Sequence, residues 1–379
     1  MGSGTDIAKP FATGKLPLEF MEALFRRYAP HDERLVAGPR IGEDVAVIDM
    51  GDRYVVVKTD PITFATDQIG WYVVNINAND IATSGATPRW MLNTILLPEQ
   101  HTTPPLVESI FEQLHQACDQ LGITLVGGHT EVTWGLTRPI IVGVLIGEVA
   151  RDRLITTANA QVGDHILLVQ GIPIEATAVI AREKAAELRA RGFDEAFLAR
   201  AQGYLHDPGI SIVPAARLAA EHPGVHAMHD PTEGGLATGL YELAFASQTG
   251  LCLYAERIPI LPEGQRLCEE YGLDPLGAIA SGALLVAVEP AQAPYLIAAY
   301  RQRGILCSHI GELLPQREGY TMIQEGRRQP LPRYDTDEIT RLFLTAEKPE
   351  DRQPPPRDGQ HGLPRRGDAP VLPLPGRGG

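Results

Sequence analysis

Cysteine is scarce in this 379-residue chain: Cys118, Cys252, Cys268 and Cys307 are all it has, and no two are in C-x-x-C spacing. That excludes a cysteine zinc site and a disulfide framework. Aromatic residues make up only 6%. No apolar run approaches the ~20 residues needed to cross a bilayer. The opening MGSGTDIAKP lacks the apolar segment of a signal peptide, and Asp6 stands where a myristoylation motif has Ser or Thr. Positive charge is in deficit, with 33 Lys and Arg against 47 Asp and Glu, a net charge of −14. A surface of that sign repels nucleic-acid phosphates and anionic lipid, so neither partner is expected. These absences together predict a reduced, soluble, cytoplasmic protein.

What is present is ordinary globular composition, 44% hydrophobic and 21% charged, at a length suited to two or three domains. The segment from Pro349 to Gly379 holds 8 Pro and 6 Gly in 31 residues and no aromatic. It cannot bury enough apolar surface to offset its ordering entropy, so 346–379 is expected to be a disordered tail. The remainder alternates strand-like and helix-like segments. Strands are expected at Val45–Met50, Tyr54–Val57, Ile140–Ile146, His165–Val169, Leu251–Tyr254 and Ala283–Val288. Helices are expected at Ile69–Ser84, Pro104–Leu121, Ile174–Arg191 and Glu233–Ser247. A polar stretch ahead of His165 places a boundary near residue 152. The domains are then 1–152 and 153–345, both mixed α/β.

Five segments have residue types suited to chemistry. In Gly38–Val47, Glu43 and Asp44 stand in a glycine-punctuated loop at the mouth of a strand. Carboxylates there suit Mg²⁺, a hard ion that prefers oxygen and shares it with substrate phosphates; a solvated turn is the plainer alternative. Lys58-Thr59-Asp60-Pro61 ends an apolar strand in a cation and an acid, and Asp-Pro is also a common turn starter. Asn75 to Pro88 crowds Asn75, Asn77, Asn79 and Asp80 into a helix that stops at Gly85. These are poor helix formers, and a carboxylate near a helix C-terminus is disfavoured unless a cation is bound. Leu125 to Thr133 reads as a buried strand running into Gly127-Gly128 and then His129, Thr130 and Glu131. The glycines permit close approach of a ligand, although an isolated His is more often simply hydrogen-bonded. Last, Asp230-Pro231-Thr232-Glu233 reads both as a capping box, with Asp230 as N-cap, and as a helix start open to an anion.

In order, these segments resemble the aminoimidazole ribonucleotide synthetase superfamily, which includes thiamine-monophosphate kinase, selenophosphate synthetase and the hydrogenase-maturation protein HypE. Gly42-Glu43-Asp44 is similar to its G-D-D-A-A loop and Thr59-Asp60 to its T-D strand end. Asn79-Asp80-Ile81-Ala82 with Gly85-Ala86 and Pro88 resembles N-D-[LIV]-A-x-x-G-A-x-P. Gly127 to Thr130 resembles G-G-[DEH]-[ST], and Asp230 to Gly235 resembles D-x-[ST]-x-G-G. The resemblance, spanning Gly14 to Leu344, implies a two-domain fold whose N-terminal sheets pair in a homodimer. It also implies a cleft for ATP and Mg²⁺, and phosphoryl transfer to a carbonyl, amide or phosphate oxygen on a small-molecule or protein-borne acceptor. By motif position Asp44, Asp60 and Asp80 are its metal candidates. Glu43, Asn79, Thr130, Glu131 and Asp230 are candidate cofactor contacts. Lys15, Lys58 and His129 are candidate catalytic groups, the lysines as phosphate cations.

Departures from the pattern bear on the branch. HypE chemistry uses a cysteine in a P-R-I-C ending, whereas the last cysteine here is Cys307. Selenophosphate synthetase uses a reactive Cys or selenocysteine near the N-terminus, whereas the first here is Cys118, on the apolar face of a helix. The purine enzyme's G-x-E-T-A-E element is replaced by Gly-His-Thr-Glu. The expectation is a HypE-like branch without the terminal cysteine, active in hydrogenase or other metalloenzyme maturation. A small-molecule kinase and a non-catalytic nucleotide-binding partner are the alternatives.

Overall fold

The computed structural model describes residue 16 and residues 18–63 and 67–344; Lys15 and the 346–379 segment lie outside them. After helix α1 (Leu18–Arg27), six strands form the first sheet: β1 (Leu35–Ala37), β2 (Ala46–Asp49), β3 (Arg53–Ile62), β4 (Thr87–Pro98), β5 (Thr124–Thr133) and β6 (Ile140–Ala150), in the order β1-β2-β3-β6-β4-β5. All neighbours are antiparallel except β4 and β5, which are parallel. Helix α2 (Ile69–Thr83) links β3 to β4, and α3 (Pro104–Leu121) makes the crossover that parallel β4 and β5 require.

The second sheet has seven strands: β7 (His165–Val169), β8 (Val225–His229), β9 (Thr249–Tyr254), β10 (Leu284–Val288), β11 (Cys307–Pro315), β12 (Tyr320–Gln324) and β13 (Arg327–Pro330). Their order is β13-β12-β9-β11-β7-β10-β8. Around them lie α4 (Ile174–Glu183), α5 (Ala185–Ala190), α6 (Glu195–Gly203), α7 (Val213–Ala220), α8 (Gly235–Ala246), α9 (Pro262–Tyr271) and α10 (Ala293–Gln302). Successive residues of a strand face opposite ways, so Leu167 and Val169 join one core while Ile166 and Leu168 join a second one with Leu236, Leu240 and Leu243 of α8. The first core is continuous from α2 and the first sheet into the second half of the chain. Among the described residues no helix is long and apolar enough to cross a membrane.

The expected helices at Ile69 and Pro104 and the strand at His165 appear within a residue of their predicted ends. Three expectations need correction. The helix predicted over Ile174–Arg191 is two, α4 and α5, meeting at Lys184. The helix predicted from Glu233 starts at Gly235, because Gly234 and Gly235 take left-handed φ of 78° and 65° and turn the chain first. Asp230 is therefore no N-cap. Finally, the strand through Leu125 and Gly127 is not a buried one: β5 is the sheet edge and nearly all of it is exposed. A Cβ on Gly128 would lie 2.1 Å from the Asn93 carbonyl oxygen, so this glycine answers to the approach of β4 rather than to a ligand.

Helix α2 is the axis of the molecule. Fourteen of its fifteen residues are buried, between the first sheet and the second half of the chain. Its asparagines are compatible with such a helix because each has a backbone partner. Asn75 donates to the Trp71 carbonyl at 2.9 Å. Asn77 donates to the Val73 carbonyl at 2.8 Å and accepts from the Asp60 amide at 2.9 Å. Asn79 donates to the Ile210 carbonyl at 2.8 Å and accepts from the Ile212 amide at 2.9 Å. Its carboxamide clamps the helix to a segment more than 130 positions away. Asn79→Ala leaves two buried backbone groups unpaired, at ~1–3 kcal/mol each. Urea denaturation of that variant is expected to show a loss of roughly 2–6 kcal/mol; a loss below about 1 kcal/mol would contradict the clamp.

Candidate functional site

The ends of β3 and β8, the last turn of α2 and the loop before β2 bring acids from four segments to one buried locus. The loop is seated by close contact: a Cβ on Gly42 would lie 2.5 Å from the Glu242 carbonyl oxygen of α8. This seating carries Asp44 to His229. His229 Nδ1 is 2.8 Å from Asp44 Oδ2, and its Nε2 is 3.1 Å from Glu242 Oε2. The imidazole is 1% exposed. Burial opposes its charge, but the Asp44 and Glu242 carboxylates outweigh burial and hold its pKa well above the ordinary value. It is an imidazolium that donates to both acids.

Asp230 follows immediately. It is 2% exposed, and among the described residues neither of its carboxylate oxygens has a hydrogen-bond partner. Burial and then the Asp44 charge push its pKa up to about 7, against the opposing pull of His229 and Lys58. Donor atoms of Asp44, His229 and Asp230 lie within 4.8 Å of one another. Beside them Lys58 Nζ is 3.2 Å from Asp60 Oδ2 and 3.2 Å from Asp80 Oδ2. The contact to Asp80 is an ion pair without hydrogen-bond geometry. Burial works against the ammonium, but Asp80, Asp60, Asp44 and Asp230 together keep its pKa well raised. Asp80 is itself raised well above the carboxylate range, by burial first and by Asp230, Asp60 and Asp44 after, with Lys58 opposing. Glu43 sits at the rim, its Oε1 accepting from the Ala158 amide at 3.1 Å; burial raises its pKa.

The arrangement is a concentration of carboxylates beyond what Lys58 and His229 neutralise. Oxygen donors without hydrogen-bond partners, in a buried and negative pocket, are a fit for a hard divalent cation. Of the candidates named from sequence, the fold brings together Asp44, Asp60, Asp80, Asp230 and Lys58, with Glu43 beside them. It does not bring in His129, Thr130 and Glu131 from the same chain. Gly128 is in register with Asn93, Asn93 with Gly143 and Gly143 with Asp60, three strand spacings or about 14 Å across the sheet. His129 is exposed on β5, 3.1 Å from Glu131. Three participants carried no role in the sequence reading. His229 and Glu242 complete the charge network, and the lone acid in the apolar run of α8 was a legible signal for Glu242. Asp337 accepts from the Gly234, Ile279 and Ile339 amides at 2.7, 3.2 and 3.0 Å, and so fixes the turn after Asp230.

Comparison with known proteins places the chain in a family. The N-terminal domain model of the AIR synthase related proteins matches residues 42–149, and the C-terminal domain model matches 161–324. The chain belongs to the AIR synthase related family. Carbamoyl dehydratase HypE of Cupriavidus necator is 32% identical over 286 residues, covering 73% of this chain and 78% of that one. A putative hydrogenase expression/formation protein of Methanocaldococcus jannaschii is 30% identical over 265 residues, 69% of this chain and 75% of the relative. These relatives of the family carry enzyme or maturation-protein names. Among solved structures, HypE in its complex with HypF has a TM-score of 0.67 at 21% identity, covering 83% of this chain and 99% of that one. HypE in complex with ATP has a TM-score of 0.63 at 22% identity, covering 84% and 90%. At those identities the structural likeness speaks for the two-domain fold.

Proposed function

We propose that this member of the family is an ATP- and Mg²⁺-dependent enzyme that activates a carbonyl, amide or phosphate oxygen by phosphoryl transfer, in the maturation of a hydrogenase or another metalloenzyme. The observation that carries this reading is the pairing of half-buried Asp44 with buried Asp230, the latter with both oxygens lacking hydrogen-bond partners among the described residues, beside Asp80 and Asp60. Asp44, Asp230 and Asp80 are the residues that would hold Mg²⁺, with Asp60 in support. When bound, that ion neutralises triphosphate charge and orients the phosphoryl group. The chain's own residues do the positioning. The His229 imidazolium fixes Asp44 from one side and is anchored by Glu242 on the other. Lys58 keeps Asp60 and Asp80 together in spite of their repulsion.

The acceptor in this reading is a small molecule or a partner's side chain, because three of the four cysteines of this chain are poor nucleophiles and the fourth, Cys252, is buried in β9. Burial pushes the Cys118 thiol up to about 11, and the Cys268 and Cys307 thiols up to about 12. The proposal includes a homodimer through β5. That edge strand exposes Val126 and Val132, and Trp134 just beyond it is 84% exposed. An unpaired apolar edge of this kind is a template for a second strand.

Calorimetric titration of ATP with and without Mg²⁺ tests the reading, and Mg²⁺-dependent binding is expected. Product analysis then separates the chemistries: phosphate retained on the acceptor marks a kinase, whereas free phosphate with a condensed or dehydrated product marks a synthetase or dehydratase. ATP affinity indifferent to Mg²⁺ would overturn the proposal.

A further inference from the structure

We propose that His165, His309 and Glu312 form a binding site for a borderline divalent transition-metal ion, with Zn²⁺ as the reference case, separate from the acid cluster and independent of the nucleotide reading. His165 opens β7 opposite Val288 and Val225, whereas His229 lies at the far end of β8, so the two loci are roughly 16 Å apart by strand geometry. Donor atoms of the three residues lie within 4.8 Å of one another.

The backbone is shaped to bring them together. His309 and Glu312 are three positions apart and on a regular strand would face opposite ways. The register of β11 against β7 shifts between His309 and Gly311, so His309 pairs with Leu167 and Glu312 with His165. Because Leu167 and His165 share a face, the bulge puts all three side chains on one side. Bulges commonly re-aim a side chain in this manner.

Two of the three ligands, His309 and Glu312, are also held as a metal site requires. His309 Nε2 donates to the Gly311 carbonyl at 3.0 Å, which puts the proton on Nε2 and leaves the Nδ1 lone pair available. Metal-bound histidines characteristically donate their other ring nitrogen to a carbonyl or carboxylate. Tyr254 Oη donates to Glu312 Oε1 at 2.7 Å and leaves Oε2 for an ion. Burial and the neighbouring His165 lower the His309 pKa, in keeping with the neutral imidazole that coordination needs. The rings of His165 and His309 stack at 3.9 Å and 14°. Sharing one ion requires a rotation of His165, whose side chain makes no hydrogen bond among the described residues. Arg257 is drawn over the Tyr254 ring at 4.3 Å. Two imidazoles and a carboxylate are a zinc ligand set that leaves a fourth position for water.

The experiment is titration of the full, chelator-treated chain with Zn²⁺ under excess Mg²⁺, by calorimetry and by the visible absorption of Co²⁺ as a substitute. One equivalent is expected to bind and to raise the melting temperature. His309→Ala and Glu312→Gln should each weaken binding at least ~100-fold, and Tyr254→Phe about 10-fold, in line with the loss of an outer-shell partner. Asp230→Asn should leave Zn²⁺ affinity unchanged. Melting curves in chelator establish that the variants fold, and Tyr254→Phe, which removes one hydroxyl, keeps the test decisive should His309→Ala unfold. The proposal is overturned by absence of stoichiometric binding, by wild-type affinity in the His309 and Glu312 variants, or by loss of binding in Asp230→Asn, which would put the ion in the acid cluster.

Discussion

Asp44→Ala and Asp80→Ala are each expected to abolish Mg²⁺-dependent nucleotide binding. Asp44 is one of two acids beside His229 whose donors converge, and Asp80 adds its charge from α2. At an effective dielectric near 20, two unit charges 4 Å apart interact by about 4 kcal/mol. Removing one carboxylate from a divalent ion should therefore cost at least ~100-fold in affinity, about 2.7 kcal/mol. A structural effect has to be separated from this, since alanine at position 44 leaves the buried His229 imidazolium with Glu242 alone. Asp44→Asn makes that separation. It keeps an oxygen to accept from His229 and removes the charge, so it should fold as the parent does and still fail to bind Mg²⁺ with nucleotide. Near-normal Mg²⁺-dependent affinity in both alanine variants, measured by calorimetry, would refute the assignment.

Glu175→Gln is expected to stabilise the protein at pH 8 by several kcal/mol. Glu175 lies in the first turn of α4 and is 7% exposed. Burial, and after it the charges of Glu233 and Asp337, push its pKa up to about 8 from an ordinary value of 4.5. The folded state therefore holds a proton that the unfolded chain releases above pH 4.5. Between pH 4.5 and 8 the native form binds more protons, so stability falls as pH rises through that window and levels off above it. At ~1.36 kcal/mol per pKa unit the full effect is roughly 3–5 kcal/mol. Glutamine is uncharged throughout and should flatten the profile across this range. Denaturant melts of both proteins at pH 5, 6.5 and 8 would show it. A wild-type slope retained in Glu175→Gln would assign the pH dependence to other groups.

Much of the site was legible because chemistry-bearing residues stood at element ends. Asp60 closes an apolar strand, Asp80 closes a helix, and Glu43 and Asp44 precede a strand, and side chains at such ends are the ones a fold can gather. Asp230 was legible both as a helix cap and as a site acid, and the structure removes the first of these. The capping pattern around it is a local regularity, and the left-handed turn at Gly234 and Gly235 that overrides it is held by Asp337, over a hundred positions later. Asn79 is a related case. A polar residue in a buried helix announces that it has a partner, but only the folded chain shows that the partner is the backbone at Ile210 and Ile212. His129, Thr130 and Glu131 form a motif with strong local character, yet strand order puts them three strands away from Asp60.

By itself the amino-acid sequence determined what local physics controls: the apolar periodicity of α3, the β-branched run of β6, the acid excess, and the order of the acidic and glycine segments. These depend on side-chain pattern and backbone preference over a few residues. The tertiary structure alone decided which distant groups meet. It paired His229 with both Asp44 and Glu242, placed Lys58 between Asp60 and Asp80, and left β5 at an exposed edge. The reason is that charge interactions and desolvation act through space, at distances set by how sheets and helices pack, and no spacing along the chain encodes those distances.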